Sequence, residues 1–184
     1  MSKVYIEKLS FFNQDIDLNN INPVRKEYLL KLNNDSLKRS YYAWILLKEM
    51  VLKEYNLDID KLNLYYNEYK KPYFKEFNFN ISHSNNLIAV AISDTKIGVD
   101  IQYIDKSKDI TSLAKKINCS TDYYDFYKIF SAKEAISKNK GTGLVLSKLS
   151  IKEDINHQEI IVVDNLEYVL SISSTDYIEI KKLL

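Results

Sequence analysis

Two neighbouring stretches decide the fold: residues 79–84 read Phe-Asn-Ile-Ser-His-Ser, and residues 97–102 read Ile-Gly-Val-Asp-Ile-Gln. Between them, residues 87–92 are apolar throughout, which is typical of a central strand. Side chains alternate along a strand, so in 97–102 the valine and isoleucines form one apolar face. The opposite face carries a glycine, Asp100 and Gln102. We expect this face to lie outside the core, where a ligand approaches the bare glycine backbone.

The oxygen-bearing side chains on that face have the chemistry of a magnesium site. Mg²⁺ favours one or two carboxylates together with phosphate oxygens and water. Asp100 and Gln102 supply two oxygen ligands, and Glu134 supplies a third from the inward stripe of a following helix. A simpler interpretation stays open, in which Glu134 and Lys138 form an exposed helical ion pair. In that case Asp100 only ends a strand.

The order of helix and strand signals predicts an α+β protein. Asparagine caps and Pro23 start two early helices, and a long stripe of apolar residues follows. The predicted helices are residues 23–32, 37–55, 110–117 and 123–141. The predicted strands are residues 3–9, 62–66, 77–84, 87–92, 97–102, 146–151, 160–163, 168–173 and 177–180.

The two parts of the chain repeat a short pattern. Lys48-Glu49 followed by Lys53 has the same spacing as Lys133-Glu134 followed by Lys138. Each copy precedes a serine-containing strand start, although chance can produce such an echo in a lysine-rich chain. We therefore expect two halves, 1–96 and 97–184, packed as one body because no Gly/Ser linker separates them.

Composition excludes several classes of protein. The 184 residues contain 26 basic and 25 acidic side chains, a net charge of +1, which argues against nucleic-acid and membrane-surface binding. The single Cys119 excludes an internal disulfide and a thiolate zinc cluster. No signal peptide and no stretch of about 20 apolar residues is present. We expect a soluble cytoplasmic protein.

His83 has two possible roles. It continues the parity of Phe77 and Phe79, so it is either a satisfied core histidine or a phosphate contact at a strand end. Ser82 and Ser84 point away from it on a strand, which excludes a Ser-His-Asp hydrolase built on these serines.

Basic residues cluster on and between the first two helices. They form either a solvated face or a site for a ligand with several phosphates, which need Arg and Lys donors. The cluster comprises Arg25, Lys26, Lys31, Lys38 and Arg39.

Taken together, these segments resemble the 4'-phosphopantetheinyl transferase superfamily, in particular its longer, pseudo-dimeric single-chain type that serves peptide and polyketide synthetases. The matching pieces follow the family's order over residues 71 to 144, and the similarity is thinner before and after. They are Lys71-Pro72, residues 79–84, residues 97–101, residues 130–135 with Lys138, and Gly143-Leu144.

The resemblance implies two similar α/β halves with antiparallel sheets and packed helices, related by a pseudo-two-fold axis, with coenzyme A in the cleft between them. It implies that a serine hydroxyl of an apo acyl, peptidyl or aryl carrier protein attacks the β-phosphate of coenzyme A. Phosphopantetheine is transferred and 3',5'-ADP leaves. A monomer acting in secondary-metabolite or fatty-acid biosynthesis is the corresponding expectation.

The resemblance also assigns roles. Asp100, Gln102 and Glu134 hold Mg²⁺, for which Mn²⁺ can substitute, and Lys138 reaches the diphosphate. Asp100, Glu134 and Lys138 are thus the expected catalytic residues. Other residues bind the nucleotide part of coenzyme A. Its 3'-phosphate contacts His83, Arg39 and one of Arg25 or Lys26, and its adenosine lies near Ser40, Lys71 and Ser82.

Two departures from the family pattern bear on catalysis. Many relatives have a glutamate where this chain has Gln102, so the site loses one negative charge. Residues 103–129 contain no glutamate, although longer relatives draw their general base from such a segment. The base is then Asp122, Asp125 or a metal-bound water, and we favour the water. A catalytically silent module that binds coenzyme A or a carrier protein is the alternative function.

Overall fold

The computed structural model describes residues 1–9, 15–142 and 154–184, and within them the chain has mixed helices and antiparallel strands, which confirms the α+β class. The strand predicted at 146–151 lies outside the described residues. No helix in the described ranges is long and apolar enough to cross a membrane. The elements are, in chain order, Ser2–Lys8 (β1), Pro23–Leu29 (α1), Asn34–Tyr55 (α2), Tyr65–Tyr66 (β2), Pro72–Tyr73 (β3), Asn78–Ser84 (β4), Leu87–Ser93 (β5), Ile97–Tyr103 (β6), Thr111–Ile117 (α3), Tyr123–Lys140 (α4), His157–Val163 (β7), Leu166–Ser174 (β8) and Ile178–Leu183 (β9).

The strands form two main sheets and one small hairpin. The first sheet has the order β4-β5-β1-β9 and the second has the order β6-β8-β7, while β2 pairs only with β3. Neighbouring strands are antiparallel, except that β9 runs parallel to β1. The C-terminal strand therefore joins the sheet built from the first part of the chain. The fully buried β5 lies inside its sheet, as the apolar run 87–92 predicts.

Three apolar clusters hold the layers together. Helix α2 packs on the first sheet, where the fully buried Trp44 contacts Phe74 and Phe79 at ring distances of 6.0 and 6.4 Å. A second cluster fills the space between the two main sheets. A third lies between helices α3 and α4 and the buried Val169 of β8. The site described below lies where these layers meet.

Capping residues fix where the helices begin and end. Asn22 accepts hydrogen bonds from the amides of Val24 and Arg25, and Pro23 follows in the first turn, as predicted. Helix α2 is capped by Asn33, one residue before the predicted cap, and helix α1 ends at Leu29 rather than at residue 32. Helix α4 starts after an Asp122 cap and ends at Gly141, whose φ is +68°.

Side chains rather than a backbone ladder join strand β4 to strand β6. The oxygens of Asn80, Ser82 and Ser84 accept hydrogen bonds from three alternate amides of β6, at 3.1, 3.2 and 2.9 Å. Because side chains alternate along a strand, these three project from one face of β4 and are spaced to meet alternate amides. This contact links the two main sheets.

The prediction that a ligand approaches Gly98 is wrong. A Cβ built on Gly98 would lie 2.0 Å from the carbonyl oxygen of Ala135 and 2.5 Å from the amide nitrogen of Asn139. Helix α4 therefore covers this face of β6 directly. The glycine is needed for close packing of the helix on the strand, and this packing sets the height of α4 above Asp100.

We predict that Gly98→Ala lowers the free energy of unfolding by about 3 kcal/mol, because a methyl group would push the α4 backbone away from β6. Urea unfolding followed by circular dichroism measures the loss. Gly141→Ala is the matched control, since the left-handed backbone there costs an alanine only about 1 kcal/mol and leaves the strand contact intact. Equal losses in the two variants would contradict this account of Gly98.

Candidate active site

A cavity of about 630 Å³ brings together nearly all the residues that the sequence predicts for the site. Its walls come from the first helices, the β2–β3 hairpin, strands β4 and β6, and helix α4. Of the predicted residues, Lys26, Arg39 and the two candidate bases Asp122 and Asp125 do not line it. The predicted residues in its wall are Arg25, Ser40, Lys71, Ser82, His83, Asp100, Gln102, Glu134 and Lys138.

Asp100 is the most deeply placed of the predicted ligands. It lies in the middle of β6, with 1 % of its surface exposed, so the interpretation that it only ends a strand is wrong. Its Oδ1 accepts hydrogen bonds from the Ser82 hydroxyl at 2.9 Å and the Lys138 ammonium at 2.7 Å. Its Oδ2 accepts one from the Gln102 amide nitrogen at 2.9 Å. Donors from three elements thus hold the carboxylate.

The partner of Lys138 differs from the one the simpler interpretation predicts. Its ammonium pairs with Asp100 across to β6 rather than with Glu134 one turn earlier. It also donates to the hydroxyl of Ser82 at 3.0 Å and to the carbonyl of Val99 at 3.2 Å. The exposed helical ion pair is therefore wrong as an account of these residues.

Glu134 lies half-buried in the cavity wall, and within the described residues its carboxylate makes no hydrogen bond. Burial raises its pKa above the ordinary value, the neighbouring Asp100 raises it further, and Lys138 lowers it. A half-buried carboxylate with a second carboxylate beside it favours an added cation.

The residues present fit a magnesium ion. Within the described ranges no group of three or more His, Cys, Asp or Glu side chains is close enough to hold a metal. Mg²⁺ does not need such a group, because one or two carboxylates suffice when phosphate oxygens and water complete the shell. Asp100 and Glu134 are the two carboxylates that the described residues place in the cavity wall. Gln102 offers its amide nitrogen to Asp100, so it becomes a ligand only when its amide rotates.

Arg25 lines the cavity from helix α1, on a different element from Asp100 and Glu134, and 6 % of its surface is exposed. It donates to the carbonyl and hydroxyl of Ser40 at 3.0 and 2.6 Å, and its guanidinium lies over the rings of Tyr28 and Trp44. Its buried Nε has no hydrogen-bond partner among the described residues. Burial lowers its pKa. A buried guanidinium in a cavity wall suits an anionic ligand, so a wholly solvated basic face is wrong for this residue.

Two other basic residues of the predicted cluster lie outside the cavity wall. Lys26 does not line the cavity, and Lys31 pairs with Glu27 on the surface. The predicted choice between Arg25 and Lys26 thus has one candidate in the cavity wall. The aromatic rings of Tyr28, Tyr66 and Tyr69 also line it, and the sequence interpretation did not single them out.

His83 is exposed at the cavity, so the interpretation as a core histidine is wrong. Desolvation by the surrounding walls lowers its pKa, and the positive charges of Arg39, Lys138 and Arg25 lower it further. The charge of Arg39 thus acts on His83 although Arg39 does not line the cavity. The predicted phosphate contact of His83 stays a prediction.

Lys71 links the hairpin to helix α4. Its ammonium donates to the carbonyl of Lys138, while Asn67 donates to the carbonyl of Gly141 at 2.9 Å. These bonds satisfy carbonyls that the end of a helix leaves free. Burial, together with Lys96 and Lys138, lowers the pKa of Lys71 to about 8. The Lys71 ammonium therefore already binds the end of helix α4, and its predicted contact with adenosine would be a second interaction of the same group.

The two aspartates proposed as general bases lie outside the cavity wall. Asp122 caps helix α4. Asp125 lies in the first turn of that helix and accepts a hydrogen bond from the Ser120 hydroxyl. At 1.5 Å per residue they are roughly 18 and 14 Å from Glu134 along the helix axis. Neither is placed to accept a proton in the cavity.

Comparison with known proteins supplies relatives but no matching family model. The chain is 29 % identical over 143 residues to 4'-phosphopantetheinyl transferase Sfp of Bacillus subtilis (strain 168), covering 68 % of this chain and 62 % of that protein. It is 32 % identical over 130 residues to a 4'-phosphopantetheinyl transferase of Bacillus subtilis, covering 62 % and 57 %. With 4'-phosphopantetheinyl transferase gsp of Aneurinibacillus migulanus it shares 23 % identity over 151 residues, covering 75 % and 63 %. The matches thus span about three fifths of the length of these relatives.

We predict that the imidazole of His83 titrates below the ordinary histidine value of 6.5. Replacing Arg39 by Gln removes a positive charge that disfavours the imidazolium, so the pKa of His83 should rise. Proton–carbon NMR across a pH series measures both values, with His157→Gln assigning the resonances. A pKa of His83 that does not move in Arg39→Gln would contradict the placement of Arg39 beside it.

Proposed function

We propose that this chain, which belongs to the 4'-phosphopantetheinyl transferase superfamily, transfers 4'-phosphopantetheine from coenzyme A to a serine of an apo carrier protein. One observation carries the proposal. Two carboxylates from separate elements, Asp100 and Glu134, line one cavity that the buried Arg25 also lines from helix α1. A ligand with several anionic groups matches a cavity that combines metal-ligating carboxylates with a guanidinium.

Coenzyme A supplies such a ligand. We place its diphosphate beside Asp100, Glu134 and Lys138, and its 3'-phosphate beside Arg25, with His83 and Arg39 contributing positive charge. A cavity of about 630 Å³ falls within the range of pockets that bury small molecules. Exposed rings at the cavity, among them Tyr28 and Tyr69, offer flat surfaces for the adenine.

The proposed reaction is a phosphoryl transfer. The serine oxygen of the carrier forms a bond to the β-phosphorus of coenzyme A, and the bond from that phosphorus to the bridging oxygen breaks. 3',5'-ADP leaves with the electron pair, and the serine proton passes to a base. Asp100, Glu134 and a rotated Gln102 amide would hold Mg²⁺, which would supply positive charge against the diphosphate.

This chain's own residues orient the reacting groups. Ser82 and Gln102 hold the Asp100 carboxylate in place, and the close contact at Gly98 holds α4 so that Glu134 faces the same cavity. The placement of Asp122 and Asp125 removes them as proton acceptors, which leaves water in the open cavity as the acceptor that we favour.

We also propose that the fold is a duplicated unit with a pseudo-two-fold relation between residues 1–96 and 97–184. The order of strands supports it. The first part runs β1, α2, β4, β5 and pairs as β4-β5-β1, and the second runs β6, α4, β7, β8 and pairs as β7-β8-β6. Strand β9 then lies outside the repeat. Since one chain lines the whole cavity, we expect a monomer to be active.

The test is incubation of the protein with coenzyme A, Mg²⁺ and an apo carrier protein, followed by mass spectrometry of the carrier. We expect a mass gain of one phosphopantetheine group that disappears on chelation of the metal. Omission of the protein is the control. Binding of coenzyme A with no gain on peptidyl, acyl and aryl carriers would favour the silent binding module, which the amide at Gln102 motivates.

We predict that Asp100→Asn and Glu134→Gln each reduce transfer by at least about 100-fold, because each removes a charged ligand while keeping the shape of the side chain. Initial rates at saturating coenzyme A measure the loss. Asp125→Asn is the matched control, since it removes a carboxylate from the same helix outside the cavity and should keep the rate. Full turnover in both site variants would show that the metal site is assigned wrongly.

A further inference from the structure

The ammonium of Lys138 uses all its donors inside the protein. A lysine has three N–H groups, and they meet Asp100 Oδ1 at 2.7 Å, Ser82 Oγ at 3.0 Å and the Val99 carbonyl at 3.2 Å. None is left for a phosphate oxygen. The contact of Lys138 with a diphosphate therefore requires the ammonium to leave this set of acceptors.

The same hydrogen bonds occupy both carboxylate oxygens of Asp100, which is a predicted metal ligand. Lys138 and Ser82 donate to one oxygen of Asp100, and Gln102 donates to the other. The carboxylate has 1 % of its surface exposed and a positive charge directly against it. The ammonium of Lys138 therefore repels a divalent cation that approaches Asp100 and occupies the space beside its carboxylate.

We propose that Lys138 takes the place of the divalent cation in the ligand-free protein and moves to the diphosphate when the metal enters. The inference rests on the proposed function. Lys138 is then a positioning residue that holds the Asp100 carboxylate in place before the ligands bind. It also makes the free protein a poor binder of the metal alone.

The exchange couples the two ligands. A diphosphate draws the ammonium away from Asp100 and so tightens metal binding, and by linkage the metal tightens coenzyme A binding by the same factor. A metal that bridges to the diphosphate produces coupling without any lysine. The measurement that isolates Lys138 is therefore the metal affinity of the free protein.

The experiment compares Mn²⁺ binding by electron paramagnetic resonance in wild type and in Lys138→Met, with no coenzyme A present. We expect the variant to bind Mn²⁺ about tenfold more tightly, because an adjacent positive charge is removed at nearly constant volume. Lys140→Met is the matched control: it removes a charge from the same helix end, where Lys140 pairs with Asp154, and should leave the affinity unchanged. Equal Mn²⁺ affinity in wild type and Lys138→Met overturns the inference.

The variant Asp100→Asn distinguishes a wrong metal site from a wrong role for Lys138. If it keeps wild-type Mn²⁺ affinity, the metal site itself is wrong and the inference falls with it. If it loses Mn²⁺ binding while Lys138→Met matches wild type, only the role of Lys138 is wrong.

A measurement on the wild type keeps the inference testable if Lys138→Met does not fold, as judged by circular dichroism. Lysine ¹⁵Nζ NMR should show one ammonium protected from exchange, assigned by its loss in Lys138→Arg. We expect Mg²⁺ alone to leave this signal in place and Mg²⁺ with coenzyme A to displace it. Displacement by Mg²⁺ alone would overturn the exchange.

Discussion

The contact between strands β4 and β6 is the constraint on which the rest of the structure depends. Three side chains of β4 replace the backbone carbonyls that would normally pair with amides of β6. Hydrogen bonds of this kind satisfy buried amides without merging the two sheets, so the sheets stay distinct and a groove remains beside the seam. The Ser82 hydroxyl accepts one of these bonds and also donates to Asp100, so a side chain that joins the sheets also orients the candidate ligand.

Much of this arrangement could be predicted from sequence because it depends on local patterns. Periodic apolar residues located α2 and α4, asparagine caps located the starts of the first two helices, and an unbroken apolar run located β5. The residues of the cavity also came from short segments whose order along the chain resembles a known family. The pairing of Asp100 with Lys138 could not be predicted, because helix spacing pointed to Glu134, four residues away. Only the packing height of α4 on β6 decides between these partners.

The errors at Gly98 and His83 have a common cause. Alternation along a strand shows which side chains share a face, but it does not show what covers that face. The face of Gly98, predicted to be open to a ligand, is covered by a helix backbone. The face of His83, one of whose predicted roles was in the core, borders a cavity. A polar residue of either parity can border a cavity where a sheet has no neighbour, and tertiary packing alone decides where that occurs.

The parallel pairing of β9 with β1 has a consequence for biosynthesis. Ser2 lies opposite Ile178, so an edge of the first sheet has no partner until the ribosome has released a segment translated much later. During that interval β1 presents free amides and carbonyls that another nascent chain can pair with. Closing a loop of this length also slows the final folding step. Yield in a heterologous host should therefore depend on translation speed and chaperone supply more than on the thermodynamic stability of the finished protein.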